Sequence, residues 1–564
     1  MEKEFFDTET INNKTVLVTS SKNFLWNDKG LSLDECLKFL ISNAKKYNYF
    51  FRIDYDVNMI LKDLPKGKLI KLFEGEKITY KKFSLEYFRH KIFIINGKKF
   101  YDVYNFFNTS LIRVINILKI DLTDSEKNFV ELMKKQRADF KIKDKDKIVS
   151  YSLLENKIGL KIVDKIYSLI PKELQTYALY GSSSLANKFL KDKFENDLVF
   201  NNKIFESAYF GGRMECLKIG TFKNVYKYDI NSAYPNVIKD LRMPLTYEIK
   251  PYNNKKIVET NIYFVENFEH KSLTEIGTLP VRLKIGYLVF PFRGGGYYYG
   301  CEIIQAQKRK VKLKIKYEID ISLGEKIFKD NEIERMYNLR LTYKKNNDLR
   351  NLIYKILLNS IYGKFAQSVG AAKYRSLYLA GYITAKVRSQ LLAATFGYDK
   401  DIIFFATDGI LTKKKLNVKV SDKLGDFDFE EIKEAKVILS GIYKLINKEN
   451  KIKYGERGFR IDFEQVLKDI YKKGESIVKQ KVFISNIYAY KNYKKFLKYR
   501  CKFFNITKKI DIKQQHKRFF ISFSLNKENS SVLLTDNVIE KMNKLAEPFE
   551  LEKIIDGEND LIIL

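Results

Sequence analysis

Three stretches carry carboxylates and cations at spacings that could do chemistry. The first is Asp229-Ile230-Asn231-Ser232-Ala233-Tyr234-Pro235. The preceding Val225-Tyr226-Lys227-Tyr228 is aromatic and β-branched and reads as a strand. Asp229 then falls at the strand's end, with Asn231 or Ser232 available as the N-cap of a helix. The carboxylate and the Ile230 carbonyl could hold a cation, while free amides at the helix start face phosphates. In the second stretch, Lys355 to Gly363, residues Lys355, Asn359 and Tyr362 stand at i, i+4 and i+7, on one face of a helix. Leu357, Leu358 and Ile361 anchor the other face. A cation, an amide and a ring so arranged could meet a triphosphate, a sugar or base edge, and a base plane. Arg340 and Lys344, also at i, i+4, add charge to an adjoining helix; alone they read as an ordinary basic surface. The third stretch, Ile402 to Leu411, sets apolar runs around Asp408-Gly409, a hairpin signal that puts Asp408 at an exposed tip. Asp-Gly alone is a turn. Joined with Asp229, it could bind two divalent ions about 3.5–4 Å apart, the arrangement that supports in-line phosphoryl displacement.

The elements that must position these residues belong to a long chain. At 564 residues it predicts two to four subdomains rather than one core. Over roughly the first 165 residues strand and helix patterns alternate, so α/β is the expectation there. Lys14 to Val18 reads as a strand and Ser32 to Lys46 as an amphipathic helix. The charged run Lys141 to Lys147 reads as a solvated loop, and Tyr151 to Ile166 as a helix. Gly294-Gly295-Gly296 reads as a flexible hairpin, because no helix start follows it. Residues 333–366 form the most helical part of the chain, and another helix is expected from Leu377 to Leu392.

A net charge of +34 would oppose a compact monomer through self-repulsion unless a polyanion neutralises part of it. Nucleic acid is the leading partner, since 38 Tyr and 42 Phe could supply stacking surfaces for unpaired bases. Lys-rich coding bias contributes to the same excess. Four scattered cysteines (Cys36, Cys216, Cys301, Cys501) and three histidines argue against zinc and for free buried thiols. Neither a signal peptide nor a spanning helix is expected, which points to a soluble, intracellular protein.

Taken in order, Asp229-x-x-Ser232-x-Tyr234-Pro235, Lys355-x-x-x-Asn359-Ser360-x-Tyr362-Gly363 and Thr407-Asp408-Gly409 resemble motifs A, B and C of family B DNA polymerases, closest to the protein-primed branch of phages and linear plasmids. The resemblance implies Asp229, Ile230 and Asp408 as metal ligands in a palm, and Arg340, Lys344 and Lys355 as the grip on an incoming triphosphate. Tyr234 would lie under the sugar, with Asn359 and Tyr362 shaping the nucleotide pocket. Tyr209-Phe210-Gly211-Gly212 resembles the Tyr-x-Gly-Gly motif that contacts template, and Tyr443 stands at the tyrosine of a Lys-x-Tyr primer-binding motif whose lysine is Gly441 here.

The first segment resembles the family's 3′–5′ exonuclease, with Asp7 and Glu9, then Asp56, then Tyr151 and Glu155 at its three motifs. Asp7, Glu9, Asp56 and Glu155 would converge on metal. Two departures bear on activity: Arg52 replaces a strand-binding Asn, and Glu155 replaces Asp. In motif C the usual Asp-Thr-Asp-Ser is Ala406-Thr407-Asp408-Gly409, so the first carboxylate is lost.

The expected fold is a multidomain α/β (α+β) chain, an RNase H-like exonuclease domain followed by a right-hand polymerase. Its expected parts are the exonuclease at 1–165, a connecting region at 166–205 and a first palm part at 206–332 with an insertion at about 240–330. Fingers follow at 333–368, a second palm part at 369–445, and the thumb and C-terminal region at 446–564. The expected activity is template-directed DNA synthesis with proofreading, using two Mg²⁺ or Mn²⁺ ions per site. Primer–template DNA and dNTPs would be the partners, with a terminal protein as a further priming partner. A monomer in the (host) cytoplasm, engaging no membrane, is expected. The resemblance implies a second insertion, between motifs B and C, that aids strand displacement in protein-primed relatives; the little room between Phe365 and Tyr374 predicts that it is shortened here and strand displacement weak. Two alternatives stay open: an exonuclease whose polymerase half only holds DNA, and a non-enzymatic basic scaffold.

Overall fold

The computed structural model describes residues 2–563 apart from 192, 195–199, 285, 369–371, 457–460, 493–499, 512–516, 521–527 and 545–560. At the N-terminus, Lys3–Phe5 pairs in parallel with Tyr47–Phe50, which pairs in parallel with Lys98–Asp102; three antiparallel strands complete a six-stranded sheet. The chain runs through Phe6 straight into Asp7–Ile11, which bends away to pair with Lys14–Thr19. Alternation puts Phe5 and Phe6 on opposite faces of this strand, each in a different apolar cluster. Against the Phe5 side packs helix Lys145–Leu169, where a Cβ at Gly159 would lie 2.5 Å from the Phe5 ring. Glycine there lets helix and strand close up. Helix Leu33–Asn43 begins with a full capping box of Ser32 and Glu35.

The centre of the chain is an antiparallel sheet with the order Arg213–Cys216, Ile402–Thr407, Gly409–Thr412, Lys218–Ile230, Phe427–Leu439, Ile442–Asn447 and Ile452–Glu456. Chain order is scrambled across it, so residues far apart in sequence become neighbours. Between its second and third strands in sequence sits a four-stranded sheet, Arg242–Pro251, Lys312–Lys326, Ile262–Glu269 and Arg293–Tyr299. Two helices follow, Glu332–Lys345 and Arg350–Phe365, then Leu377–Ala394. Only residues 366–376 join the last two. Near the C-terminus, helix Phe463–Lys473 precedes a long hairpin of Glu475–Phe483 with Phe503–Asp511.

Two local expectations are corrected. The run Lys141 to Lys147 is not a loop: a 3₁₀ turn at Ile142–Asp144 leads into the helix at Lys145, whose lysines stay solvated along its side. The triple glycine is not a hairpin but part of strand Arg293–Tyr299, where a Cβ on Gly295 would meet the Glu266 carbonyl at 2.6 Å. Its partner strand is bulged between Val265 and Phe268, and bare backbone fits that bulge. All four cysteines are free and buried. Among the described residues no helix is long and apolar enough to cross a membrane.

Candidate active sites

Strand pairing brings Asp229 and Asp408 together. Asp229 is in register with Gly409, and the Ile230 N–H donates to the Asp408 carbonyl at 2.9 Å. A Cβ at Gly409 would lie 2.4 Å from Asp229 Oδ1, so the Asp229 carboxylate rests over bare backbone. Asp408 occupies the turn between two interior strands of the sheet and is half-buried, not at an exposed tip as the hairpin pattern predicts. Burial raises its carboxyl pKa. Thr407, just before it, is held at φ +61°, costly for a β-branched residue.

Ser232 precedes helix Ala233–Ile238, yet its backbone is left-handed and it caps nothing. Its hydroxyl instead accepts a 2.9 Å hydrogen bond from Arg340 Nη1, tying the helix Glu332–Lys345 to the turn after Asp229. Three tyrosines gather beside the dyad: the Tyr234 and Tyr362 rings lie 4.5 Å apart, and Tyr362 and Tyr209 share a 2.9 Å hydroxyl hydrogen bond. Gly212 closes the group, since its Cβ would meet Thr407 Cγ2 at 2.8 Å and the Tyr234 hydroxyl at 3.2 Å. Gly211 has open space around it. Lys355 and Asn359 are exposed on the same helix face as Tyr362, while Ile353, Leu357, Leu358 and Ile361 are buried. Lys344 is exposed one turn beyond Arg340. A cavity of about 890 Å³ opens beside Tyr209, lined in part by Arg282, Tyr297 and Arg375.

Tyr443 lies apart from this group. Its ring stacks on Phe404 at 4.9 Å, and Ala406 packs on the same apolar cluster. The methyl at 406 therefore belongs to the core side of its strand.

Three residues at this site escape a sequence reading. Lys227, two residues before Asp229 and so on its face of the strand, forms an ion pair with it. Burial, then nearby Lys453, pushes the Lys227 pKa down to about 8. Asp428 is the cross-strand partner of Asp229 and shares its face. Arg388 is buried; it donates to the carbonyls of Phe210 (2.8 Å) and Gly211 (2.6 Å) and pairs with Glu302 at 2.9 Å, which sets the path of the Tyr209–Arg213 segment. A charge within an apolar helix was the available signal for Arg388; Lys227 had only its i−2 spacing.

The second cluster lies at the N-terminal sheet. Asp7 and Glu9 come from one strand, Asp56 from helix Ile53–Ile60, and Tyr151 and Glu155 from one face of helix Lys145–Leu169, all buried. Thr8 Oγ1 donates to Asp56 Oδ1 at 2.6 Å, and Ser152 Oγ to Asp7 Oδ2 at 3.2 Å. Positive charge comes from the segment just before: Arg137 Nε donates to Glu9 Oε2 at 2.9 Å and its Nη2 lies 3.7 Å from Asp7, while Lys134 Nζ donates to Glu155 Oε1 at 2.7 Å. Burial, then Glu155, pushes the Asp7 pKa up to about 6; burial pushes Glu9 up to about 8 and Asp56 well above the usual range. Burial also pushes Glu155 up, but Lys134 and Arg137 outweigh it and hold the carboxyl low.

The four carboxylates thus face one region, as the motif order predicts, with a cation or hydroxyl set against each. Among the described residues no group of three or more His, Cys, Asp or Glu side chains is arranged to hold a metal ion. Arg137 and Lys134 each hold one of these carboxylates, Glu9 and Glu155. Arg52, at φ +71°, donates its N–H to Asp102 and lays its guanidinium 5.6 Å from the Tyr104 ring centre.

Comparison with known proteins places the chain in a family. A family model described as DNA polymerase type B, organellar and viral, matches residues 36–423. The DNA polymerase of Acidianus bottle-shaped virus (isolate Italy/Pozzuoli) is 29% identical over 355 residues, covering 60% of this chain and 52% of that protein. The DNA-directed DNA polymerase of Enterobacteria phage PRD1 is 27% identical over 439 residues, covering 67% and 73%. The chain therefore spans about half the length of the first relative and under three quarters of the second. Among solved structures, Phi29 DNA polymerase complexed with primer-template DNA and incoming nucleotide substrates aligns with a TM-score of 0.60 at 16% identity, over 86% of this chain and 96% of that one. That likeness is one of fold, the multidomain α/β class expected from the sequence.

Proposed function

The chain belongs to the organellar and viral type B DNA polymerases, and from that premise we propose that it extends a primer 3′-hydroxyl on a DNA template and trims mispaired 3′ ends at its N-terminal carboxylates. The observation that carries the reading is the convergence of Asp229, Ser232, Tyr234, Tyr362, Thr407-Asp408 and Gly212, drawn from four separate stretches, on one spot of the central sheet. In this reading 206–332 and 369–445 are the palm, 333–368 the fingers and 446–564 the thumb region, with the insertion at about 240–330 open to a terminal protein. The first 165 residues are the exonuclease.

Both sites fit divalent ions. Their donors are all oxygen, as hard cations prefer, and the buried Glu9 Oε1 has no hydrogen-bond partner among the described residues. Asp229, Asp408 and the Ile230 carbonyl would hold two Mg²⁺ or Mn²⁺ ions in the palm, and Asp7, Glu9, Asp56 and Glu155 would hold two more. Bound there, the ions acidify the attacking hydroxyl or water and neutralise charge on the phosphate. The rest falls to the chain. Arg340, Lys344 and Lys355 hold the triphosphate while its α-phosphate is attacked and pyrophosphate departs. Tyr234 lies under the sugar, its hydroxyl in the space that the missing side chain of Gly212 leaves. Asn359 and Tyr362 border the base, Tyr209 and Gly211-Gly212 guide the template, and Tyr443 supports the primer strand. Tyr151 orients the water or phosphate at the exonuclease site.

Ala406 favours one second reading, in which the polymerase half holds DNA and only the exonuclease acts. A single assay decides: dNTP incorporation and 3′-end trimming with Mg²⁺ in wild type, Asp229→Ala and Asp7→Ala. Asp229→Ala is expected to abolish synthesis and spare trimming, and Asp7→Ala to do the reverse. Trimming without any synthesis in wild type selects the second reading; DNA binding with neither reaction leaves a scaffold.

A further inference from the structure

The helix that carries Asp56 is gripped from the far end of the chain. The Asn486 N–H donates to Asn58 Oδ1 at 2.8 Å, Asn486 Nδ2 to the Asn58 carbonyl at 2.7 Å, and Cys501 Sγ to the same carbonyl at 3.4 Å. These bonds fix the end of the Glu475–Phe483/Phe503–Asp511 hairpin, where Phe483 and Phe503 are cross-strand partners. Both rings meet Tyr55, the residue before Asp56: Phe483 at 5.0 Å, tilted, and Phe503 at 6.1 Å, stacked within 25°. Phe483 and Phe503 lie 5.5 Å apart. At its other end the Tyr55 hydroxyl is 2.7 Å from Thr10 Oγ1, next in sequence to Glu9. The three rings therefore reach the edge of the carboxylate cluster.

A seam made only to dock two parts of the chain would bury its rings. Phe503 remains 51% exposed, and Lys481 Nζ stands 5.5 Å from its centre. On strand Glu475–Phe483, Lys479, Lys481 and Phe483 recur at every second position and so face the same side. That end of the ribbon face thus carries two lysines and leads to an aromatic pair, with Phe503 open to solvent, beside the carboxylates. Ammonium groups along a strand neutralise phosphates, and an open ring stacks any base, since every base has a π-face.

We propose that Phe483 and Phe503, with Tyr55, form a stacking seat for the unpaired bases at a DNA 3′ end, and that the lysine-bearing face of the hairpin is the track along which that end arrives. The proposal rests on the exonuclease reading above and adds the site that presents the substrate to it. The C-terminal hairpin thereby becomes part of the exonuclease's binding surface.

The test uses the full chain carrying Asp7→Ala, so that DNA stays intact, and an oligonucleotide with 2-aminopurine at its 3′ terminus. Stacking should quench the fluorophore. Phe503→Ala and Phe483→Ala should each weaken binding of unpaired 3′ ends roughly tenfold, in the range of losing one stacked base, and weaken binding of a fully paired duplex less. Phe503→Trp should retain the quenching, whereas Phe503→Leu, which keeps apolar packing without a π-face, should lose it. If Phe503→Ala or Phe503→Leu binds and quenches as the parent does, or if paired and unpaired ends weaken equally, the seat does not exist. Trimming by the wild-type chain is scored separately. Its absence, with Phe503-dependent quenching intact, would leave the seat standing and remove the exonuclease reading.

Discussion

Gly212→Ala offers the sharpest perturbation of the central site. A methyl there would sit 2.8 Å from Thr407 Cγ2 and 3.2 Å from the Tyr234 hydroxyl, where ordinary contact begins at 3.4 Å. Thr407 must then give by about 0.6 Å and Tyr234 by about 0.2 Å. The threonine side chain is branched at Cβ and stiff, so the backbone has to absorb most of that shift. Thr407 is already held at φ +61° and is joined directly to Asp408. Overpacking of this size costs on the order of 1–3 kcal/mol. A misplacement of about 1 Å at a reacting group can cost a hundredfold, so a shift of this size should slow synthesis roughly tenfold or more. Single-turnover incorporation of one nucleotide would read the effect, with 3′-end trimming by the same protein as an internal measure of folding. Thr407→Ser removes the offending methyl and should restore much of the rate in the double variant, giving a coupling energy of opposite sign to the single loss. Wild-type incorporation by Gly212→Ala, or no rescue by Thr407→Ser, would refute the claim that the space left at Gly212 seats Thr407 and Asp408.

Other outcomes follow from the same geometry. Tyr209→Phe and Tyr362→Phe each break the 2.9 Å hydroxyl contact, so each should cost about 1 kcal/mol in nucleotide affinity and the pair little more than either alone, measured as dNTP KM. His270 is buried among Arg213, Arg309 and Arg518, and burial and those charges push its pKa from 6.5 down to about 4. The unfolded chain therefore binds a proton between those values that the folded chain refuses. Stability should fall by roughly 3 kcal/mol as pH drops from about 6.5 to 4, and thermal melts of His270→Gln should lack that component. Because only residues 366–376 separate helices Arg350–Phe365 and Leu377–Ala394, primer extension should stall at a downstream duplex; long displacement products without helper proteins would overturn that expectation.

The sequence alone specified local conformation and residue chemistry. Val225–Tyr228 as a strand, Lys355, Asn359 and Tyr362 on one helical face, and Tyr151 beside Glu155 all follow from periodicities that neighbouring residues impose on one another. Motif order carried the family resemblance as well. Pairing of distant strands was beyond it. That Asp229 lies over Gly409, and that Asp428 shares its face, depends on register between strands some 180 residues or more apart. Charge placement was equally hidden. Lys227, Arg137 and Lys134 look like ordinary surface basics in sequence, yet the fold sets each against a carboxylate, because buried negative charge must find a positive partner close by. The left-handed backbone at Ser232 and Thr407, which turns expected cap and hairpin residues into parts of the site, likewise goes with partners from elsewhere in the chain, Arg340 on Ser232 and the paired Arg213 opposite Thr407. Local sequence set which groups could act; only tertiary packing decided which of them meet.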